Sequence, residues 1–507
     1  MAARRVSRRD IFRIGAATGL LPVMPAAAAP SVAGNVYTRI GVRPFINCTA
    51  TYTINGGTLT LPEVKQAMDE ASRFPVNIDE LMEKAGERIA KLLGSEAAIV
   101  TAGAAAALTH ATAACVAGAD PEKMRQLPDL AGLKNEVVVP RQSRNQYDHA
   151  VRAVGVKMVE IDTPEEFHAA LGPRTAMIMV LASGEHRGKM RLEEMAEAAR
   201  KAGVPVLVDA AAELPGPPDR YLSRGADLVA YSGGKILRGP QCAGLLLGRK
   251  DLVTAAWWNS SPHHALGRGM KVGKEETMGM LAAVEYWVNK RDLKAEYRLW
   301  ESWYAHIAQV LGKLPGITTA VEGPTGGSPF PVLRVTWDQD KYAIRGKEIH
   351  RELLEGEPRI MSHAGEGEGS FRIRAVTMQA GDEKRVATRL YDVFRQTAGR
   401  PVAAPLPPAH SAAGRWDLEI RFVSGSARHT LALEQDGNSV RGTHQGRLAK
   451  GELTGAISGD QVTLRSGLRH EGETLGYRFT GRITAGAMEG EVEPDEYGRA
   501  RWIARRL

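Results

Sequence analysis

Two residues with complementary chemistry stand near the middle of the chain, each after a short apolar run. Asp209 ends the run 205–209, and Lys235 follows the run 227–231 through a Ser-Gly-Gly turn. A buried carboxylate can keep a pyridine nitrogen protonated, and a lysine amine can form a Schiff base with an aldehyde. Alone, Asp209 is better explained as a helix cap and Lys235 as a solvated cation. Together, beside the glycines, they predict a pyridoxal-phosphate site.

Apolar runs that alternate with helical patterns from about residue 62 to 290 would position this pair. The alternation predicts an α/β fold with a mostly parallel seven-stranded sheet covered on both faces. The helical pattern 192–202 ends at Gly203. Ligands of such sheets lie at the carboxyl ends of the strands, where Asp209 and Lys235 fall. The predicted strands are 97–101, 136–139, 157–161, 175–181, 205–209, 227–231 and 243–247.

A small-residue segment after the predicted strand 97–101 opens a helix. Bare backbone amides at Gly103, Ala104 and Ala105 can hold the cofactor phosphate at this helix N-terminus, with help from the Ser232 hydroxyl. A tightly packed alanine-rich helix would have the same composition, so the segment supports the phosphate site only beside Asp209 and Lys235.

The pattern changes after residue 290 to a long helix, three strands (317–322, 331–337 and 370–376) and a closing helix, 382–397. This predicts a small α+β domain over 291–398. Arg372 and Arg374 alternate in the third strand, so we expect them to share one face, where one could bind a substrate carboxylate as a bidentate fork. A solvated strand edge with two arginines explains the pattern equally well.

Residues 399–414 are rich in proline and alanine and predict a linker. Residues 415–507 then run as about eight alternating strands, which predicts a closed antiparallel β-barrel. Two functions are compatible with such a barrel, a stabilising or docking appendage and a ligand-binding domain. We favour the appendage. Few contacts are expected to cross the linker, so the cofactor site should work without residues 405–507. The predicted barrel core is Trp416, Leu418, Ile420, Leu431, Leu433, Val462, Leu464, Tyr477, Phe479 and Trp502.

The first 29 residues have the pattern of a signal peptide. Arg8 and Arg9 precede a weakly apolar run, and four alanines at 26–29 provide a cleavage site. We therefore expect a twin-arginine (Tat) export signal, a mature periplasmic or otherwise exported protein, and contact with the Tat export machinery. Residues 30–290 then form the cofactor-binding large domain with its N-terminal segment.

Charge and cysteine content exclude several classes of protein. Five arginines and one aspartate in residues 1–29 account for half of the net charge of +8, so the remainder gives no case for nucleic-acid binding. Cys48, Cys115 and Cys242 show no CxxC spacing and are interpreted as buried thiols. No metal motif is present, and His263 and His264 are interpreted as loop residues.

Residues ~37–398 resemble the fold-type-I pyridoxal-phosphate enzymes of the branch containing selenocysteine synthase (L-seryl-tRNA selenium transferase) and D-glucosaminate phosphate ammonia-lyase. The resemblance implies that Lys235 carries the cofactor, that Asp209 contacts its ring nitrogen, and that Ser232 and the Gly103 region hold its phosphate. It also implies a homodimer or higher homo-oligomer with active sites between subunits. The matching stretches are 101–106, 144–150, 208–213, 232–241 and 270–276.

The sequence departs from the selenium transferases where their N-terminal tRNA-binding domain would stand, because an export signal occupies that place. We therefore expect an exported pyridoxal-phosphate lyase that removes water and ammonia from a 2-amino-3-hydroxy acid or amino-sugar acid. Racemisation, aldol cleavage, β-replacement and a non-catalytic binding protein remain alternatives. Further candidate substrate ligands, beside Arg372 and Arg374, are Arg144, Tyr147 and Arg268.

Overall fold

The structure is a computed structural model that describes residues 34–324, 329–364, 369–399 and 404–507. The predicted signal peptide, residues 1–29, lies outside the described residues. Among the helices that are described, none combines the length and the apolar character needed to cross a bilayer.

A seven-stranded sheet forms the centre of the large domain. Its strand order is β2-β8-β7-β6-β5-β3-β4, and β8 runs antiparallel to both of its neighbours. The predicted α/β fold with a mostly parallel sheet is therefore confirmed, with strand ends within one residue of expectation. The strands are β2 (Ala97–Thr101), β3 (Glu136–Pro140), β4 (Lys157–Ile161), β5 (Thr175–Leu181), β6 (Val206–Asp209), β7 (Leu228–Ser232) and β8 (Gly244–Gly248).

Helices cover both faces of this sheet. The predicted helix over 192–202 is confirmed, and Gly203 ends it with a left-handed φ of 65° that glycine adopts without steric cost. The helices are α1 (Pro62–Ser72), α2 (Ile78–Leu93), α3 (Gly103–Ala117), α4 (Pro121–Gln126), α5 (His149–Arg152), α6 (Pro164–Ala170), α7 (Leu192–Ala202), α8 (Lys250–Trp258) and α9 (Lys274–Asn289).

The small α+β unit contains a four-stranded antiparallel sheet in the order β12-β13-β10-β9. Its buried side chains are continuous with the core of the large domain. The elements are α10 (Leu293–Leu311), β9 (Ile317–Glu322), β10 (Val332–Trp337), α11 (Gly346–Glu355), β11 (Ile360–Met361), β12 (His363–Ala364), β13 (Ser370–Ile373) and α12 (Asp382–Thr397).

The N-terminal segment contacts both units, although the sequence places it wholly with the large domain. Its short strand β1 (Ile46–Asn47) pairs in parallel with β11 of the small unit. Further along, the amide of Thr58 donates to the carbonyl of Gly234, beside Lys235, at 3.1 Å. The segment therefore joins the small unit to the lysine loop.

The C-terminal residues form a closed eight-stranded antiparallel barrel, as predicted. All ten predicted core residues are buried, in a cluster separate from the core of the large domain. Residues 404–413 lie outside helices and strands, and Leu406 and Ala409 hydrogen-bond to Ser458 and Gly459 of the barrel. The strands are β14 (Gly414–Arg421), β15 (Ser426–Asp436), β16 (Ser439–Gln445), β17 (Lys450–Ser458), β18 (Gln461–His470), β19 (Glu473–Ile483), β20 (Ala487–Pro494) and β21 (Ala500–Arg506).

Candidate active site

Asp209 is the last residue of β6, a strand buried along its whole length. Only 3% of the residue is exposed, and the amide of Ala211 donates to its carboxylate at 3.1 Å. Burial raises the pKa of Asp209, while this hydrogen bond and the charge of Lys235 act in the opposite direction. The carboxylate is thus held in a dry environment with a cation close by.

Lys235 lies in the loop after β7, the strand next to β6. Burial lowers the pKa of its amine, and the charge of Asp209 partly restores it. The preceding glycines are required by packing: a Cβ on Gly233 would lie 2.8 Å from the carbonyl oxygen of Ala243, and one on Gly234 would overlap Gln241. The two glycines therefore allow the turn before Lys235 to pack closely against Gln241 and Ala243.

The expected phosphate site lies where β2 and β7 end and the antiparallel strand β8 between them begins. Ser232 of β7 and Thr101 of β2 both pair with Gly244 of β8, so these residues lie side by side. A Cβ on Gly244 would lie 2.6 Å from the amide nitrogen of Ala104, so β8 approaches the start of α3 closely. Gly103 has a φ of 85°, and no side chain caps this helix end. Its first amides can therefore bind an anion.

Tyr147 lies in the loop after β3, at the same edge of the sheet. Its ring centroid is 5.8 Å from Lys235 Nζ, within the range of a cation–π contact. The side chain is half exposed, and the Tyr147 amide donates to Asn145 Oδ1 at 2.7 Å. The structure therefore brings Tyr147 to the lysine, as expected of a substrate-facing residue.

Arg144, in the same loop, is committed to structural contacts instead of a substrate. Its Nε donates to Asp148 at 2.5 Å, Nη1 to Glu160 at 2.5 Å and Nη2 to Glu471 at 2.6 Å. Only 2% of the side chain is exposed. The sequence-based assignment of Arg144 to the substrate therefore needs correction, because each guanidinium nitrogen already has a carboxylate.

Arg372 and Arg374 do not lie in one strand as predicted. Strand β13 contains Arg372 but ends at Ile373, so Arg374 lies beyond it. Arg372 donates to Glu322 on the outer strand of the small sheet at 3.2 Å. The amide of Arg374 donates to the carbonyl of Cys48 in the N-terminal segment, and its Nη1 is buried without a hydrogen-bond partner among the described residues. Buried donors are normally paired, so Arg374 is the better candidate for an anionic ligand.

Two further residues concern the site: Arg268, which the sequence suggested, and Gln241, which it did not. Arg268 lies exposed in the loop between α8 and α9, where its Nη1 donates to Ser261 at 3.4 Å. Gln241 lies directly against Gly234, and its Oε1 is buried without a partner among the described residues. The position of Gln241 at the end of the loop that carries Lys235 could have indicated a role in the site, but the sequence does not show the direction of its side chain.

These residues fit pyridoxal phosphate by their chemistry. A buried carboxylate, a partly desolvated amine and an uncapped helix end correspond to the ring nitrogen, the aldehyde and the phosphate of the cofactor. Within the described part of the chain, no group of three or more His, Cys, Asp or Glu side chains is arranged to hold a metal ion. The three cysteines are free: Cys48 is buried, Cys115 is partly buried and Cys242 is exposed, which corrects the expectation that all three are buried.

Comparison with known proteins agrees with this geometry. Residues 63–272 match the family model described as Aminotransferase class-V. The chain is 33% identical over 384 residues to 5'-C-glycyluridine monooxygenase-decarboxylase from a Streptomyces species, over 72% of this chain and 93% of that protein. It is 27% identical over 378 residues to D-glucosaminate-6-phosphate ammonia lyase of Salmonella typhimurium, over 72% of this chain and 99% of that protein.

The solved structure of a D-glucosaminate-6-phosphate ammonia-lyase superimposes with a TM-score of 0.63 at 26% identity, and the match covers 72% of this chain and 99% of the other. These likenesses, together with the site described above, show a pyridoxal-phosphate-dependent enzyme. The chain therefore belongs to the fold-type-I pyridoxal-phosphate-dependent enzymes, in the family that includes D-glucosaminate-6-phosphate ammonia lyase and L-seryl-tRNA(Sec) selenium transferase.

Proposed function

We propose that the protein is an exported lyase that removes water and ammonia from a 2-amino-3-hydroxy acid or an amino-sugar acid. The observation that carries the enzymatic part of this proposal is that Lys235 and the buried Asp209 lie at the carboxyl ends of the neighbouring strands β7 and β6. The likeness to an ammonia lyase over nearly the full length of that relative supports the reaction class. The phosphorylated sugar acid in the name of that relative is not transferred to this chain.

Lys235 Nζ is the group placed to move the reacting proton. Bound pyridoxal phosphate supplies an aldehyde for the substrate amine and a protonated ring that accepts electrons. Burial lowers the pKa of the lysine, so a larger fraction of the amine is neutral and able to act as a base near neutral pH. Asp209 Oδ1 accepts the amide of Ala211, which restrains the carboxylate that would contact the ring nitrogen of the cofactor.

The proposed reaction balances without an external oxidant or reductant. The substrate Cα gives its proton to Lys235 Nζ, and the electron pair left on carbon breaks the Cβ–O bond. The hydroxyl takes up one proton and leaves as water. The enamine that remains isomerises to an imine, which takes up one water and yields a 2-keto acid and ammonia.

Three side chains are proposed to place the substrate. Arg374 offers a buried guanidinium nitrogen for the carboxylate, and Tyr147 covers Lys235 from the open side of the site. Arg268 is exposed in this chain. It is proposed to reach the active site of a second subunit.

The proposed homodimer or higher oligomer is supported by large apolar side chains that are exposed around the N-terminal segment and α1. Exposed groups of this kind mark surfaces that another protein covers. The residues are Val36, Tyr37, Ile40, Ile54 and Phe74. Export rests on the twin arginines and the alanine-rich cleavage region alone.

A second candidate is an oxygen-dependent decarboxylation of an amino acid. It is favoured by the 33% identity to a monooxygenase-decarboxylase. This reaction would consume O2 and release CO2, and the site chemistry at Lys235 and Asp209 would be the same. The two candidates therefore differ in their co-reactant and products and not in these two residues.

The test is a product screen of the purified holoenzyme with serine, threonine and amino-sugar acids, with air and without oxygen. The lyase predicts equal ammonia and 2-keto acid in both atmospheres, with no CO2. Oxygen uptake with matching CO2 release would instead establish the decarboxylase. A product that retains both the amine and the carboxyl carbon of the substrate would exclude both.

A further inference from the structure

The barrel contacts the active-site loop at one turn. The hairpin between β18 and β19 places Glu471 and Gly472 against residues 144–148 of the large domain. This loop also carries Tyr147, whose ring covers Lys235. The sequence predicts few contacts across the linker, and this contact joins the barrel to the loop beside Lys235.

Glu471 completes the set of carboxylates around a buried guanidinium. The three nitrogens of Arg144 donate to three different residues, of which only Glu471 belongs to the barrel. A buried guanidinium is stable only when its charge is paired and its donors are satisfied. Without Glu471, Arg144 Nη2 loses its carboxylate.

The backbone of the Glu471–Gly472 turn has an unusual conformation and lies very close to the loop 144–148. Glu471 adopts a left-handed φ of 53°, a conformation that costs a non-glycine residue free energy. A Cβ on Gly472 would lie 2.7 Å from both the nitrogen and the oxygen of Asn145. Any larger residue at 472 must therefore displace the backbone of the loop.

The loop transmits this contact to the residue above the lysine. Asn145 Oδ1 accepts the amide of Tyr147 at 2.7 Å, and the Asn145 carbonyl accepts the amide of Asp148 at 3.2 Å. Asp148 in turn pairs with Arg144. Displacement of Asn145 or release of Arg144 would therefore change the position of Tyr147.

We propose that the Glu471–Gly472 turn of the barrel is a positioning element of the active site, which holds residues 144–148 so that Tyr147 stays over Lys235. Glu471 and Gly472 act through this loop and contact neither cofactor nor substrate. The proposal rests on Lys235 as the lysine of the cofactor and is independent of the reaction class.

The test compares two substitutions in full-length protein with two matched controls. Glu471→Gln removes the charge, and Gly472→Ala adds the colliding Cβ. Glu419→Gln removes a half-buried barrel carboxylate that pairs with Arg421, and Gly486→Ala adds a Cβ where no atom lies within 4 Å. The controls therefore change the barrel without touching the catalytic domain.

Hydrogen–deuterium exchange of the apo protein gives a readout without catalysis. We expect amides 145–148 to exchange about tenfold faster or more in Glu471→Gln and Gly472→Ala, because a local contact that restrains opening is lost. Amides of α7 should exchange at the wild-type rate. Unchanged exchange at 145–148 in a folded Glu471→Gln protein would overturn the proposal, even where Gly472→Ala does not fold.

The holoenzyme gives a second readout that a purely stabilising contact would not move. The pH midpoint of the cofactor absorption band should shift in both variants, because the ring of Tyr147 no longer lies over Lys235. kcat should fall by about 10- to 100-fold, the size of effect expected from slight misplacement of a reacting group. A midpoint and kcat equal to those of the two controls would also overturn the proposal.

Discussion

Asp209 and Lys235, which lie at the ends of the adjacent strands β6 and β7, each oppose the pKa shift that burial causes in the other. Burial raises the pKa of the carboxyl and lowers the pKa of the amine, and the attraction between the two charges opposes both shifts. Each group would be more costly to bury alone. A cofactor whose ring nitrogen and aldehyde require these two groups therefore finds both at one edge of the sheet.

Loss of the lysine should remove the covalent attachment of the cofactor. Borohydride reduction and peptide mapping should place the pyridoxyl group on Lys235, and Lys235→Ala should lose the label while its thermal unfolding stays cooperative. Lys271→Ala, in the loop before α9, is the control that should keep the label. A label on another lysine in the wild-type protein would contradict the assignment.

Replacement of the buried carboxylate should separate binding from turnover. Asp209→Asn should retain the cofactor but lower kcat by about 10²- to 10³-fold, the cost of losing one electrostatic contact to developing charge. The neutral amide cannot hold the ring nitrogen protonated. Cofactor content by absorbance and steady-state kinetics test this prediction. Unchanged kcat would make Asp209 only a strand-end residue.

Substitution of Arg374 and substitution of Arg372 should have different effects on substrate binding. Arg374→Lys should raise KM about tenfold, because a hydrogen bond to a charged group contributes about 1.5–3 kcal/mol and the bidentate geometry is lost. Arg372→Lys is the matched control, since Arg372 already pairs with Glu322. Equal KM values for the two variants would show that Arg374 does not bind the substrate carboxylate.

The twin arginines should control export. Replacement of Arg8 and Arg9 by lysine should leave the precursor in the cytoplasm, and the wild-type mature protein should begin shortly after Ala29. Cell fractionation and N-terminal sequencing test both statements. Continued export of the variant would point to a general secretory route, with cofactor loading after export.

The barrel should lose stability in acid through His444. This residue is buried, its Nε2 contacts His429 Nδ1 at 2.8 Å and its Nδ1 contacts Ser466 at 2.7 Å, while the ring of Tyr477 packs against it. Burial lowers the pKa of His444 from 6.5 to about 3. Between these values the unfolded chain binds a proton that the folded barrel does not, so stability falls as pH decreases.

The slope from this one group approaches ~1.4 kcal/mol per pH unit. Denaturant unfolding followed by tryptophan fluorescence from pH 7 to 4 measures it. His444→Asn should reduce the slope, whereas His410→Asn, at an exposed position before the barrel, should leave it unchanged. Equal slopes in all three proteins would show that the histidine network does not carry the acid sensitivity.

The sequence by itself determined the elements and the paired chemistry of the site. Alternation along 416–504 predicted the barrel core because a strand buries every second side chain, and continuous apolar runs predicted the parallel sheet because its strands are covered on both faces. Asp209 and Lys235 could be assigned because both stand at strand ends, which meet at one edge of such a sheet.

Only the tertiary structure decided what the long-range partners are. Arg144 has the same local sequence whether its guanidinium binds substrate or carboxylates, and its three partners come from the same loop, from β4 and from the barrel. Likewise, the sequence predicts equal environments for Arg372 and Arg374. In the structure β13 ends at Ile373, and the amide of Arg374 donates to Cys48 of the N-terminal segment instead. Periodicity records burial within an element, but a contact between distant segments arises only when the packed domains bring them together.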